Sequence, residues 1–371
     1  MASADNERSK ILLNAPSNAK PASLRDVARF AGVSLATASC ALGQGRRGVS
    51  ETMRAKVQRA ADELGYELRP RGRRRTRPLY VGVVVPEPTN SFFSAVTGAL
   101  VEALAQKGHR AIVSASREDP ELEDELVAYL SPRVDGFVVA PAAQVGPATL
   151  ALAKRGLPVV LIDRDGGAPQ LPSVSMDNFD SAYRATMVLV ESGFKRIAMV
   201  NGPQRVSTAR DRTNGYRAAL AAGGLPLSDE RMWFGEFSVQ DGRRAVDWLL
   251  QASERPDAIF SSSAILTSGV LTGLRQHGLR WPDDVAVVGF GDAVYATLVE
   301  PGVTVVEQPT AAMGETAARI LMNDAGPRQE APHVVLASKL VLRDSHWRRA
   351  KPAGRHRGQK PVALSAPTGP Q

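Results

Sequence analysis

The side chains best equipped for chemistry in this chain are arginines. Six of them crowd into Glu67–Pro78, ELRPRGRRRTRP, together with two prolines and one glycine. A guanidinium is permanently charged and offers five N–H donors in a planar fork, so its chemistry is the gripping of phosphate and carboxylate oxygens. Arg73, Arg74 and Arg75 are consecutive, and Arg46 and Arg47 form a pair upstream. The segment reads as a solvated spacer or as an arm for DNA backbone and minor groove, where negative potential favours arginine. Its position directly after a helical module favours the arm. Other chemistries lack their groups. Cys40 is the one cysteine, which excludes an intramolecular disulfide and a thiolate cluster. No second cysteine could resolve an oxidised Cys40, so it reads as a small half-buried residue. His109, His277, His333, His346 and His356 lack ligand spacing, so no metal is expected. No nucleophile–base pair or carboxylate dyad stands out. The glycines of GFGDAV lack the third glycine of a dinucleotide fingerprint. No cofactor is expected.

The elements around these arginines support a DNA-binding reading. Ser23 can cap a first helix, with Asp26 in its first turn. Leu24, Val27, Ala28 and Ala31 then share one face. Gly32 supplies a turn, Ser34 can cap a second helix through about Leu42, and Ser50 opens a third with Met53, Val57, Ala60 and Leu64 on one face. The first two have helix-turn-helix spacing. Residues 20–77 hold 14 Lys/Arg against 5 Asp/Glu, and 348–371 hold 6 basic residues and no acid. Residues 78–347 hold 24 basic and 31 acidic residues. A basic head on an acidic body is what a domain that meets phosphate requires.

From Leu79 the pattern becomes strand–helix alternation. Strands are expected at Tyr80–Val85, Ala111–Ser114, Gly136–Ala140, Pro158–Ile162, Arg196–Val200, Ala258–Ser261 and Val285–Gly289. Helices are expected at Val96–Lys107, Glu121–Leu130, Leu150–Arg155, Asp180–Ser192, Arg210–Ala222, Arg243–Gln251 and Ser268–His277. Short apolar strands between helices predict an α/β fold with parallel sheets in two lobes, and a ligand at the carboxyl ends of the strands. The 371 residues, 43% hydrophobic, suffice for a large core. No membrane span or signal peptide is evident, so a cytoplasmic, nucleoid-associated protein is expected. The divisions are an extension over 1–19 expected to be disordered, a helix-turn-helix domain over 20–66, an arginine-rich hinge over 67–78, a two-lobed core over 79–345 with crossovers near 175 and 305, and a disordered basic tail over 346–371.

Nine ordered blocks carry a resemblance that spans about Leu24 to Asp344: DVARFAGVS (26–34), VSETMRAKVQRAADELGY (49–66), VGVVVPEPTNSFF (81–93), RVDGFVVAP (133–141), LPVVLIDR (157–164), SVSMDN (173–178), STARDRTNGYRAAL (207–220), GLRWPDDVAVVGFGD (278–292) and TVVEQP (304–309). The chain resembles the LacI/GalR family of bacterial transcription regulators. The resemblance implies a helix-turn-helix head, a hinge and a core like the periplasmic sugar-binding proteins. It further implies a homodimer, in some members a tetramer, that reads a pseudo-palindromic operator in double-stranded DNA under control of a small effector.

Matching the family's motifs residue by residue, the resemblance assigns effector binding to Phe92, Phe93, Asp163, Arg212 and Phe237. Two positions depart from the sugar-binding pattern. Ser263-Ala264 stands where relatives carry Asn-Asp. Gly291 follows Phe290 where relatives carry Asp, with Asp292 one residue later and able to supply the contact. Losing both weakens a neutral sugar and, with Arg212 kept, leans towards a sugar acid. In the head, the base-reading positions fall on Leu35, Ala36 and Cys40, with Ser34, Thr37 and Ser39 left for phosphates. Many relatives have an arginine where Cys40 stands. Arg46 and Arg47, in a loop one residue longer than usual, and the Arg73–Arg75 run are expected to take up contacts. The hinge lacks the family's Pro-Asn start and leucine wedge, which predicts a steep salt dependence.

The function this supports is an effector-controlled, sequence-specific transcription regulator acting as a repressor, and not an enzyme. A ligand-responsive activator, a solute-binding protein without DNA function, and an α/β enzyme on sugars are the competing classes.

Overall fold

The computed structural model describes residues 23–42, 49–64, 79–322 and 331–347. The expected disorder of 1–19 and most of the tail, the hinge, Arg46, Arg47 and Arg73–Arg75 lie outside these residues. The chain divides into two units at Arg74–Arg75.

The head unit holds three helices. Helix α1 (Leu24–Phe30) begins with a reciprocal cap: Asp26 N donates to Ser23 Oγ, and the Asp26 carboxylate accepts from Ser23 N at 3.0 Å. Helix α2 (Leu35–Leu42) follows the turn at Gly32, and α3 (Glu51–Glu63) is capped by Ser50. Their shared core is Val27, Ala28, Ala31, Ala38, Ala41, Val57, Ala60 and Ala61. Small residues let short helices approach closely where few large side chains are available. Met53, expected on the buried face of α3, is only half-buried, while Ala61 is buried.

The core unit holds two six-stranded sheets. In lobe 1 the order is β11 (His333–Leu336), β5 (Ser173–Met176), β4 (Val159–Ile162), β3 (Gly136–Val139), β1 (Tyr80–Val85) and β2 (Arg110–Ala115). Helices α4 (Ser91–Ala105), α5 (Pro120–Leu130), α6 (Pro147–Lys154) and α12 (Thr310–Met322) cover it. In lobe 2 the order is β12 (Lys339–Val341), β10 (Thr304–Glu307), β9 (Ala286–Phe290), β8 (Ala258–Ser261), β6 (Ile197–Asn201) and β7 (Met232–Phe234). Helices α7 (Asn178–Glu191), α8 (Ser207–Ala222), α9 (Val239–Leu249), α10 (Ala264–Gln276) and the short α11 (Tyr295–Leu298) complete it. The central strands read as unbroken apolar runs because both faces are buried, as in Val81–Val85 and Ala286–Phe290.

The expectation of parallel sheets needs one correction, since β12 pairs antiparallel with β10. The chain passes between lobes after β5 and after β10, near the expected points. It passes a third time between β11 and β12, two strands that the sequence reading missed. They are four and three residues long and lie at sheet edges, too short for a periodicity to show. Helices α7 and α8 cross with minimal separation at Gly215, where an added Cβ would strike the Phe179 carbonyl and Tyr183 N. Among the described residues no helix is long and apolar enough to cross a membrane.

Candidate effector cleft and DNA-reading helix

Asp163 directly follows β4, with φ +67°, a left-handed conformation uncommon for a side chain other than Asn, Asp or Gly. Its N–H donates to Val174 O at 2.8 Å, and only 6% of the residue is exposed. Oδ2 lies 3.6 Å from Arg164 Nε, while the buried Oδ1 has no hydrogen-bond partner. Burial pushes the carboxyl up, and the neighbouring Arg164 and Arg212 guanidinium groups oppose that. An orphaned acceptor in the interior is costly unless something comes to fill it.

Arg212 reaches the same place from α8 in lobe 2. Its Nε donates to Asn178 Oδ1 at 2.9 Å, its Nη1 donates to Ser262 O at 2.7 Å, and its guanidinium stacks 4.0 Å from the Phe290 ring centroid. Burial lowers its pKa to about 10, with Asp163 pulling the other way, so it stays protonated at neutral pH. The carbonyl that holds it is itself fixed. Ser262 Oγ donates to Asn201 Oδ1, and Asn201 Nδ2 donates to Ala209 O at 2.8 Å and Thr213 Oγ1 at 2.9 Å. This buried network presents Arg212 in one orientation, with both Nη2 N–H groups and the second Nη1 N–H left to donate.

Phe92 and Phe93 open α4 behind the Asn90 cap and meet edge to face, with centroids 5.1 Å apart. Phe93 is core, and Arg164 lies over its ring at 5.8 Å. Phe92 is half-buried at the rim of that core. Phe237 is half-buried in lobe 2, its ring lying over Gly202 at the end of β6. Ser263 caps α10, its Oγ accepting from Leu266 N at 3.3 Å. The Asp292 carboxylate is held by Arg343 at 2.9 Å, whose Nη1 donates to Val303 O just before β10. Gly291 explains why no acid stands directly after Phe290. Its φ is +87°, and a Cβ there would lie 3.0 Å from Ala264 Cβ and 3.3 Å from Gln308 Oε1.

Sequence reasoning missed Arg164, Glu118, Asn178 and Ser262. Arg164 donates to both carboxylate oxygens of Glu118, and its Nη1 also donates to Pro141 O at 3.0 Å. Arg117 and Glu118 share the left-handed backbone seen at Asp163, with φ of 55° and 60°. Arg205 in lobe 2 pairs with Glu236, which raises its pKa. The run Asp163-Arg164-Asp165 after an apolar strand was the available signal. Among the described residues, no group of three His, Cys, Asp or Glu side chains is placed to hold a metal ion.

In the head, α2 buries Ala38 and Ala41 and exposes Leu35, Ala36, Ser39 and Cys40. The half-buried reading of Cys40 is thereby corrected. Ser34 Oγ accepts from Thr37 N at 3.0 Å and lies 2.8 Å from Thr37 Oγ1, so both hydroxyls serve the cap.

A helix-turn-helix head joined to a two-lobed core of mostly parallel sheets defines the class of transcription regulator. Residues 23–67 match the family described as bacterial regulatory proteins, lacI family. Residues 79–338 match the periplasmic binding proteins and sugar binding domain of the LacI family. The chain belongs to the LacI family. It is 34% identical to the HTH-type transcriptional regulator CelR of Thermobifida fusca, over 87% of this chain and 97% of that one. It is 32% identical to catabolite control protein A of Priestia megaterium, over 80% and 90%. It is 28% identical to the HTH-type transcriptional repressor CytR of Escherichia coli K12, over 86% and 93%. Among solved structures, a complex of the transcriptional regulator CelR with cellobiose superposes with a TM-score of 0.67 at 33% identity, covering 87% of this chain and 99% of the other. A LacI family regulator from Enterococcus faecium with bound ribose gives 0.65 at 25% identity, covering 72% and 98%.

Proposed function

We propose that this regulator is a homodimeric repressor of a pseudo-palindromic operator, acting in the cytoplasm and without catalytic activity, and that a neutral, hydroxyl-rich carbohydrate between its lobes sets its operator affinity. The observation that carries the effector class is the unpartnered, buried Oδ1 of Asp163 beside the oriented guanidinium of Arg212. An acceptor and a donor side by side suit vicinal hydroxyls, and the half-buried Phe237 offers a face for a sugar ring. Phe92, half-buried at the rim of the lobe 1 core, offers a second ring. The sequence leaned towards a sugar acid because Arg212 was retained. The buried Asp163 balances that charge, which favours a neutral ligand over a carboxylate. The CelR complex with cellobiose, at 33% identity, makes a β-linked glucose disaccharide the first compound to try.

Calorimetry on the full chain with cellobiose, ribose, glucose and gluconate tests this reading. Binding of a neutral sugar that is lost in Arg212→Met, with an accompanying change in operator affinity, is the expected result. Gluconate binding without neutral-sugar binding would establish the sugar-acid reading instead.

A further inference from the structure

We infer that the recognition helix reads its operator through thymine methyl groups rather than through hydrogen bonds to base edges. This rests on the DNA-binding reading of the head. The outward face of α2 is Leu35, Ala36, Ser39 and Cys40, and the helix, LATASCAL, contains no charged, amide or imidazole side chain. The hydroxyls of Ser34 and Thr37 pair with each other at the cap, which leaves one O–H between them to donate. Ser39 is the one exposed hydroxyl on the helix, and a hydroxyl both donates and accepts, so it does not tell one base from another. Leu35 is 44% exposed, a large apolar side chain at the start of the helix left open among the described residues of the head.

Discrimination by such a face rests on one group. Thymine alone presents a C5-methyl group in the major groove, and leucine, alanine and a thiol can cover it. Every base pair also presents two acceptors and one amine donor there, so the desolvation that an apolar face imposes falls on A·T and G·C pairs alike. The methyl contact is what favours thymine. The head is then specified for half-sites carrying thymine opposite Leu35, Ala36 and Cys40.

The test selects duplexes from a random library with the full-length protein and then replaces each thymine of the selected half-site by deoxyuridine, which removes only the methyl group. The expected result is enriched thymine at two or three positions, each losing about fourfold in affinity as uracil, the worth of one buried methyl-sized group. Leu35→Ala, a change at an exposed position, is expected to abolish the uracil penalty at one position alone. Uracil binding as tightly as thymine, or selected G·C pairs facing α2, would overturn the inference while leaving the DNA-binding reading intact. Failure to enrich any sequence would overturn both.

Discussion

Arg164 and Glu118 form a fork-to-fork pair inside lobe 1, with Nη1 2.7 Å from Oε2 and Nη2 2.8 Å from Oε1. Arg164 is almost fully buried, so its charge depends on this partner and on Asp163. Removing one member leaves the other charged in the interior. Glu118→Gln is therefore expected to destabilise the core by about 3 kcal/mol, read as a lower urea midpoint at unchanged slope. The double variant Glu118→Leu with Arg164→Met is expected to recover most of that loss. A single variant as stable as the parent would show that the pair contributes nothing to folding.

Glu123 provides a pH signature. It lies buried on α5, accepts from Ala142 N at 2.7 Å, and burial raises its pKa from 4.5 to about 7. The unfolded chain releases this proton near pH 4.5 and the folded chain keeps it to about pH 7, so stability falls as pH rises between those values. The loss amounts to about 3 kcal/mol. Glu123→Gln is expected to flatten that slope, as measured by chemical unfolding at pH 5 and pH 8. Equal slopes in both proteins would refute the assignment.

Asp163 sets stability against binding. Burial disfavours its charged form, and the penalty is present at neutral pH, above the unfolded carboxyl range. Asparagine keeps the shape, tolerates the left-handed backbone and carries no charge. Asp163→Asn is expected to raise the melting temperature at pH 8 and to weaken sugar binding at least tenfold, since a hydrogen bond to a charged group is worth about 1.5–3 kcal/mol. Calorimetry and thermal unfolding of the same preparation check both halves.

Gly215 tests the packing of lobe 2. An added methyl there meets backbone atoms of α7, which cannot move aside as a flexible side chain could. Gly215→Ala is expected to cost about 2 kcal/mol despite its better helix propensity. Differential scanning calorimetry would show it as a fall in melting temperature, and an unchanged value would contradict the close crossing.

The sequence by itself determined the local elements and the family. Caps at Ser23 and Ser50 and apolar runs such as Val81–Val85 report forces that act within a few residues, so their periodicity is visible in the chain. It also singled out Asp163 and Arg212, through motifs that the family shares. Tertiary structure alone decided what those groups do. Arg212 is oriented by Asn178 and Ser262, 34 and 50 residues away, and the Asp163 Oδ1 is left unpaired by burial that involves both lobes. Asp292 lies two residues from Phe290 along the chain, and its pairing with Arg343, 51 residues on, is made only by folding. Strands β11 and β12 escaped notice because an edge strand of three or four residues is made by its neighbour's hydrogen bonds rather than by its own pattern. Charge and hydrogen-bond pairing depend on position in space. One chain records which groups are present, and only folding decides which of them are left with a bond to offer.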